Sequence, residues 1–213
     1  MDPRLKYYLL GFFYADGCMS KKLDSLSIRL SGKDYDFLCK IGEIFDKKVK
    51  KYQAKIKDKE YKSCRLNICG KKNTEFWYNL GIIPNKTYQN DSKVFDNVTS
   101  NYKWDFIRGY FDGDGTIGSS TWNEKPHYKS SPKYFVIFVT LNEKLLRSIR
   151  KFINNSLNLT AKVFKSGKKY YRIRYSGNKQ TRLIGKSLYK NKGNIFLKRK
   201  FEKFNEIPVF NNK

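Results

Sequence analysis

Two aspartates, Asp16 and Asp114, stand at the same place in two segments that repeat each other. LLGFFYADG at 9–17 and IRGYFDGDG at 107–115 share an apolar start, a glycine, two aromatic residues and a final small–Asp–Gly. If both segments are helices packed side by side, the two carboxylates meet at the helix C-termini, where like charges and helix dipoles repel. A divalent cation would relieve this repulsion, because carboxylates with nearby backbone carbonyls are oxygen ligands suited to Mg²⁺. Paired metals about 3.5–4 Å apart can activate water and stabilise the leaving oxygen in phosphodiester hydrolysis.

Small residues precede each aspartate at a spacing of four positions. They are Gly11 with Ala15, and Gly109 with Gly113. On a helix this spacing gives a strip of small side chains along which a second backbone can approach closely. Gly17 and Gly115 are expected to stop the two helices, since glycine tolerates a left-handed backbone. A single Asp-Gly pair most often marks only a turn, but two copies with matched small residues favour a shared site.

The repeat continues beyond these two segments. Two helical patterns place apolar residues at the same five positions, Phe37, Leu38, Ile41, Ile44 and Phe45 in one and Leu145, Leu146, Ile149, Phe152 and Ile153 in the other. Each helix follows a start signal, Ser31 with Asp34 and Thr140 with Glu143. GKKNTEF at 70–76 then returns as GNKQTRL at 177–183. Three ordered matches indicate a duplicated unit, and about ten extra residues are expected in the loop around 119–133.

Alternation of apolar and polar residues predicts strands between these helices. The apolar sets are Leu26, Ile28 and Leu30, then Tyr52, Ala54 and Ile56, then Tyr171, Ile173 and Tyr175. Each half is therefore predicted to be an α+β unit of order αββαββα with a four-stranded antiparallel sheet. One face of each sheet should pack on helices, and the other should be polar and basic.

The chain is strongly basic, with 45 Lys+Arg against 19 Asp+Glu and a formal net charge of +26. This charge indicates a polyanionic partner, because neutralising phosphates releases counterions, although a solvated lysine-rich surface would give the same composition. Basic and amide residues on strands favour nucleic acid, since a β-ribbon can enter the major groove. The residues expected to contact DNA are Arg29, Lys51, Gln53, Lys55, Lys57, Arg65, Arg172 and Arg174.

Membrane, secreted and zinc proteins are disfavoured. No apolar stretch is long enough to span a bilayer, and the N-terminus lacks a signal-peptide cleavage site. An intracellular protein of the cytoplasm, nucleoid or an organelle is therefore expected. The four cysteines, which are Cys18, Cys39, Cys64 and Cys69, contain no C-x-x-C pair. With His127 as the single histidine, their spacing does not suit zinc and predicts reduced thiols.

The two repeated segments resemble the signature of the LAGLIDADG homing endonucleases. The chain is similar to the two-motif, single-chain class, with one half at 1–83, a linker at 84–101 and a second half at 102–213. The resemblance implies two sheets that form a DNA-binding saddle, with a pseudo-two-fold axis at the motif helices. It also implies a monomeric, Mg²⁺-dependent hydrolase that cuts both strands of a long asymmetric duplex site, leaves 3′ overhangs and acts in intron homing.

The resemblance assigns roles to individual residues. Asp16 and Asp114 would be catalytic acids and metal ligands, with backbone carbonyls from Ala15 and Gly113. They would bind two or more divalent cations, Mg²⁺ or Mn²⁺ in its place. Lys86 would match a lysine of related enzymes that stabilises the scissile phosphates.

Three further positions follow from the same resemblance. Lys200 occupies the place in the second half that is comparable with Lys86. Arg29 matches a basic site near the metals, and its second-half counterpart is expected to be Phe138. The signature's earlier acid, a structural residue, is present as Asp112 and replaced by Tyr14 in the first copy.

Two other functions on the same scaffold remain open. An RNA-splicing maturase would bind intron RNA, and a regulator would bind DNA without cutting it. Retention of Asp16 and Asp114 argues against the regulator and only mildly against the maturase. A basic ribosomal or chromatin protein would explain the charge but not the paired motifs.

Overall fold

The computed structural model describes residues 1–56, 59–121 and 132–208. Within that part of the chain, one order of helices and strands occurs twice. The first half contains α1 (Pro3–Asp16), β1 (Gly17–Met19), β2 (Ser25–Ser31), α2 (Tyr35–Ile44), β3 (Lys50–Ile56), β4 (Lys59–Cys69) and α3 (Lys71–Asn79). A short helix, α4 (Lys93–Asp96), follows it. The second half contains α5 (Lys103–Asp114), β5 (Thr116–Ser120), β6 (Lys133–Thr140), α6 (Glu143–Leu157), β7 (Val163–Ser166), β8 (Tyr170–Ser176) and α7 (Asn178–Tyr189), followed by α8 (Lys198–Asn205). The predicted order αββαββα is present in both halves.

Each half contains one four-stranded antiparallel sheet, with strand orders β1-β2-β4-β3 and β5-β6-β8-β7. The matching orders confirm the predicted duplication and the α+β class. One face of each sheet is buried against helices. Its fully buried side chains are Leu26, Ile28, Cys64, Leu66 and Ile68 in the first sheet and Val136, Phe138, Ile173 and Tyr175 in the second. We call the opposite face of each sheet its open face.

The motif helices α1 and α5 pack against each other through their glycines, as predicted. A Cβ atom at Gly11 would overlap the carbonyl oxygen of Phe106, and one at Gly109 would overlap the carbonyl oxygen of Tyr8. Phe106 and Tyr8 each lie three residues before the glycine of their own helix, so the two contacts are equivalent. The backbones approach so closely that even an alanine at either glycine would not fit.

The glycines that follow the motif aspartates end the two helices, as predicted, but they are needed for space and not for a left-handed backbone. Gly17 and Gly115 are extended, with φ of −75° at both. A Cβ atom at Gly17 would lie 2.5 Å from the carbonyl oxygen of Phe13, and one at Gly115 would lie 2.6 Å from that of Phe111. Each helix therefore passes directly into a strand, and each aspartate lies at that junction.

The starts of α2 and α6 differ from the predicted capping boxes. Ser31 caps a 3₁₀ helix at Gly32–Asp34, and Asp34 makes no capping hydrogen bond to α2. Asn142 caps α6 by accepting a hydrogen bond from the backbone N–H of Leu145 at 3.0 Å, while Thr140 accepts one from the N–H of Asn142. The two helices and their buried faces are confirmed, with Leu38, Ile41, Leu145, Leu146, Ile149 and Ile153 fully buried.

The predicted linker at 84–101 has its own short helices and contributes to the core. Besides α4, it contains 3₁₀ helices at Lys86–Tyr88 and Ser100–Tyr102. Val94, Phe95 and Val98 are buried. The insertion expected around 119–133 falls mostly outside the described residues, as does His127. Among the described helices, none is long and apolar enough to cross a membrane.

Candidate active site and nucleic-acid interface

Asp16 and Asp114 end the two packed motif helices, as the sequence predicted. A Cβ atom built on Gly113 would overlap the side chain of Ala15 and lie 3.1 Å from Oδ2 of Asp16, so the Asp16 carboxylate lies beside the backbone of the other motif. Burial and the charge of Asp114 raise the pKa of Asp16 to about 6. Burial also raises the pKa of Asp114, although its side chain is more open to solvent. Two like charges thus share one partly desolvated place.

Lys86 brings a cation to this pair of aspartates. It lies in the 3₁₀ helix between the halves, yet it is only 6% exposed. Its Nζ donates a hydrogen bond to the carbonyl oxygen of Gly17, next to Asp16. Burial lowers its pKa, and the charges of Asp114 and Asp16 partly restore it. The lysine is therefore held by electrostatic attraction to the acids and by the end of α1.

Lys200 reaches the same place from the other side. It lies in α8, is 6% exposed, and its Nζ donates to the carbonyl oxygens of Phe111, Asp112 and Gly113 at 2.7, 2.8 and 2.9 Å. A cation at the C-terminus of a helix neutralises unpaired carbonyls and the negative end of the helix dipole. Burial lowers the pKa of Lys200 to about 8.

The earlier acid of the second motif holds the helices together. Asp112 is buried and accepts hydrogen bonds from the hydroxyls of Tyr8 at 2.8 Å and Tyr189 at 2.7 Å, and from the backbone N–H of Leu197 at 3.0 Å. In the first motif, Tyr14 instead accepts a hydrogen bond from Nδ2 of Asn142 at 2.9 Å. Both positions therefore form hydrogen bonds between the two halves of the chain. A tyrosine at position 14 can do this as well as an acid, so the first motif does not need a carboxylate there.

Sequence reasoning missed the ion pair that fixes α8. Arg199 contacts Asp34 through Nε–Oδ1 at 2.9 Å and Nη2–Oδ2 at 3.0 Å. The sequence pattern assigns Asp34 to a helix start, and a pairing over 165 residues leaves no local signal in the sequence. The ion pair connects the helix that carries Lys200 to the first half.

A divalent cation fits the chemistry of this site. Among the described residues, no cluster of three or more His, Cys, Asp or Glu side chains could hold a metal. Asp16 and Asp114 could supply two carboxylates, which is the number Mg²⁺ often takes from a protein when substrate phosphates and water complete its shell. Burial raises the pKa of both acids, and the charge of Asp114 raises that of Asp16 further, so a bound cation would favour the ionised form of each. The Gly113 carbonyl already accepts from Lys200 but keeps a second lone pair.

Strand register separates the predicted DNA contacts into two faces of the first sheet. Arg29 pairs with Arg65, and Arg65 with Lys50, so these three lie on the open face. Lys51 pairs with the buried Cys64, which places Lys51, Gln53 and Lys55 on the helix side, opposite to the prediction. The residues predicted to pack there, Tyr52 and Ala54, lie on the open face and are exposed.

The error has a physical cause. Residues 50–55 of β3 are exposed on both faces, so alternation in this strand does not report which face is buried. On the helix side, Nζ of Lys51 lies 4.0 Å from the centre of the Tyr35 ring. Lys57 lies outside the described residues. In the second sheet the prediction holds for position, since Arg172 and Arg174 are exposed beside the buried Ile173 and Tyr175.

The counterpart of Arg29 is Val139 and not Phe138. Gly17 pairs with Ile28 in the first sheet. In the second sheet, Thr116 lies one residue after Gly115, the counterpart of Gly17, and it pairs with Ile137. Phe138 therefore matches the buried Ile28, and it is itself fully buried. A shift of one residue in a strand moves a side chain to the opposite face, which is why sequence comparison alone misassigned this position.

Comparisons with known proteins agree with this geometry. Residues 101–189 match a family model described as a LAGLIDADG-like domain. A search of curated protein sequences gives no significant match. The family model covers the second motif, α5 to α7, which is the half that retains both acids of the signature.

Solved structures extend the likeness to the first half. The homing endonuclease I-WcaI bound to its DNA recognition sequence has a TM-score of 0.64 at 15% identity, covering 99% of this chain and 88% of that one. I-SmaMI bound to cleaved DNA has a TM-score of 0.61 at 10% identity, over 96% and 87%. Full-length DUF199/WhiA from Thermatoga maritima has a TM-score of 0.54 at 19% identity, over 98% and 62%. At these identities the likeness is one of fold, which the whole chain shares with these structures, and the match to a LAGLIDADG-like domain covers residues 101–189.

Proposed function

We propose that this protein is a site-specific DNA endonuclease that hydrolyses a phosphodiester bond in each strand of a long, asymmetric duplex site and leaves 3′ overhangs. The proposal includes dependence on Mg²⁺, action as a monomer, and a role in homing inside the cell. The observation that carries it is the convergence of Asp16, Asp114, Lys86 and Lys200 at the ends of two packed helices. Fold likeness to proteins described as bound to a DNA recognition sequence and to cleaved DNA supports the same conclusion.

Each half of the chain contributes one aspartate. One lysine contacts the end of each motif helix, Lys86 at α1 and Lys200 at α5. When bound, divalent cations would activate water and neutralise charge at the scissile phosphates. Asp16 and Asp114 are arranged to hold such cations, and must be deprotonated to do so. Because one chain supplies both acids, a monomer contains the complete site, and one acid is available for each strand.

The two lysines have the properties of electrostatic stabilisers. Their ammonium groups are buried and fixed by backbone carbonyls, so they need not reorganise when charge develops on a phosphate. Lys200, with a pKa near 8, remains mostly protonated at neutral pH. Since Lys200 also neutralises the end of α5, it keeps the backbone of the second motif in place beside Asp114.

The open faces of the two sheets would bind the duplex. Arg29, Arg65 and Lys50 on the first sheet and Arg172 and Arg174 on the second can contact phosphates or guanine edges. The formal charge of +26 provides a long-range attraction for DNA that should depend strongly on salt.

The proposal is tested by exposing the protein to a randomised duplex DNA library with Mg²⁺, against an EDTA control, and sequencing the broken ends. A matched pair of variants, Asp114→Asn at the site and Asp36→Asn at an exposed position on α2, separates active-site cleavage from contaminating nuclease. Metal-dependent breaks with short 3′ overhangs at one long site, lost only in Asp114→Asn, are expected. Absence of cleavage with tight, salt-sensitive binding to duplex DNA or structured intron RNA would instead favour the regulator or the maturase.

A further inference from the structure

The open faces of the two sheets differ in chemistry at equivalent positions. Cys18, two residues after Asp16, pairs with Ser27, and Thr116, two residues after Asp114, pairs with Ile137. The duplication therefore matches three central positions: Ser25, Ser27 and Arg29 in the first sheet correspond to Phe135, Ile137 and Val139 in the second. A polar surface in one half is an apolar surface in the other.

On the open face of the second sheet, the half-buried side chains of Phe135, Ile137 and Val139 follow one another along β6 and form an apolar patch. Phe135 covers Gly118 on the neighbouring strand, where a Cβ atom would lie 2.7 Å from its Cζ. The guanidinium carbon of Arg174 lies 4.0 Å from the centre of the Phe135 ring. Phe164, which is 51% exposed at the sheet edge, is separated from this patch by Arg172, with which it pairs. An apolar patch on a protein surface marks a binding site more often than it marks a face that is simply exposed to solvent.

Two observations indicate that the partner of this patch is the same polyanion that reaches the acids. Basic residues surround the patch, with Lys133, Arg172 and Arg174 all on the open face. A cavity of about 260 Å³ is lined by Val139 and Tyr170 from this sheet together with Asp114 and Lys86 from the active site. The patch is therefore continuous with the candidate catalytic centre.

Within the major groove of DNA, one apolar group is exposed on base edges, the C5-methyl group of thymine. Serine and arginine in the first sheet can form hydrogen bonds with base edges, whereas phenylalanine, isoleucine and valine cannot. We propose that the second sheet recognises its half of the target through thymine methyl groups, and that this half-site is rich in T·A pairs. The inference rests on the proposed binding of duplex DNA and does not depend on cleavage.

The experiment starts from a binding selection in EDTA, which identifies the site whether or not the protein cuts it. Thymines are then replaced by deoxyuridine in one half-site at a time, which removes the methyl group and leaves base pairing unchanged. Replacement in the half under the second sheet should weaken binding by about fourfold for each contacted methyl group. Replacement in the other half should change Kd by less than about twofold, since hydrogen bonds from serine or arginine to base edges do not involve the methyl group.

Variants show which sheet is responsible. Ile137→Ser copies the residue at the equivalent position of the first sheet and should abolish the deoxyuridine effect at one base pair, while Ser27→Ala should leave every effect intact. The inference is overturned by equal effects in both half-sites, by no effect in either, or by an Ile137→Ser variant that keeps the wild-type deoxyuridine effect at every base pair. Selection of no duplex site at all would refute DNA binding itself, and loss of cleavage with the predicted deoxyuridine pattern would refute only the endonuclease.

Discussion

Arg199 and Asp34 form a two-point ion pair between the last helix and the first half of the chain, with N–O distances of 2.9 and 3.0 Å. The Asp34 side chain is 6% exposed, whereas that of Arg199 is 55% exposed. The next residue along α8 is Lys200, whose Nζ lies on the carbonyls at the end of α5. The ion pair of Arg199 with the first half therefore also fixes the ammonium group of Lys200 at the end of the second motif helix.

Replacing Arg199 should affect both stability and cleavage. Arg199→Ala leaves the buried Asp34 carboxylate without its partner and is expected to lower the free energy of unfolding by about 2 kcal/mol. Cleavage under single-turnover conditions should slow more than Kd for DNA weakens, because Lys200 loses the anchor of its helix. Lys198→Ala is the control, since its bridge to Glu202 is exposed and worth at most about 0.5 kcal/mol. Equal urea midpoints and equal cleavage rates for the two variants would contradict this role.

Asp16 should destabilise the metal-free protein at neutral pH. Its folded pKa of about 6 lies above its value of about 3.9 in an unfolded chain, so ionising it costs stability as pH rises from about 4 to 6. Asp16→Asn removes this cost and, allowing for partial solvation, should raise the free energy of unfolding in EDTA by about 1–2 kcal/mol at pH 7.5. The gain should shrink by about half at pH 5, where the wild-type acid is mostly protonated in the folded state.

Urea unfolding at the two pH values measures this difference. Added Mg²⁺ should stabilise the wild-type protein more than Asp16→Asn, since binding to the folded state raises stability by mass action. Asp36→Asn controls for general charge effects. A gain that is the same at pH 5 and pH 7.5 would show that the carboxylate is not desolvated as described.

Adjacent lysines on β3 test which face of the first sheet binds DNA. Lys50 lies on the open face with Arg65, and Lys51 lies on the helix side against Tyr35. Lys50→Ala should weaken binding and reduce the slope of log Kd against log salt by about 1, the loss of one phosphate contact. Lys51→Ala should leave the slope unchanged. The reverse result would restore the face assignment made from the sequence.

The glycine contact between the motif helices should tolerate no side chain. A Cβ atom at Gly109 would overlap the backbone of Tyr8, which cannot move without separating the helices. Gly109→Ala should therefore cost about 3 kcal/mol or more in stability. Gly167→Ala is the control, since its Cβ meets nothing within 4 Å and only the φ of 66° is unfavourable, at about 1 kcal/mol. Similar thermal shifts in both variants would contradict the close packing of α1 and α5.

Much of the fold could be predicted because the same pattern of residues occurs in both halves of the chain. Hydrophobic periodicity gave the helices and most strands, and the repeated small residues gave the packing of α1 on α5. In each of these cases the sequence pattern arises from residues that are buried in the fold. Residues 50–55 of β3 are exposed on both faces, so the same reasoning assigned their side chains to the wrong side.

The site was only partly within reach of the sequence. Asp16 and Asp114 are found by their repeat, whereas Lys86 and Lys200 have no periodic signal and were proposed from family resemblance. The ion pair of Arg199 with Asp34 joins residues far apart in the chain, which no local pattern reports. Sequence comparison matches Arg29 to Phe138 instead of Val139, because an error of one residue cannot be seen until the strand register is known.

The most direct test of the shared active site is cleavage of the selected duplex by single aspartate variants with Mg²⁺. Asp16→Asn and Asp114→Asn should each lose double-strand cutting by at least about 100-fold, the scale of removing one electrostatic catalytic group, while Kd for DNA in EDTA stays within about threefold. Asp36→Asn should cut like the wild-type protein. Double-strand cleavage at the wild-type rate by either single motif variant would contradict a site to which both halves contribute an acid.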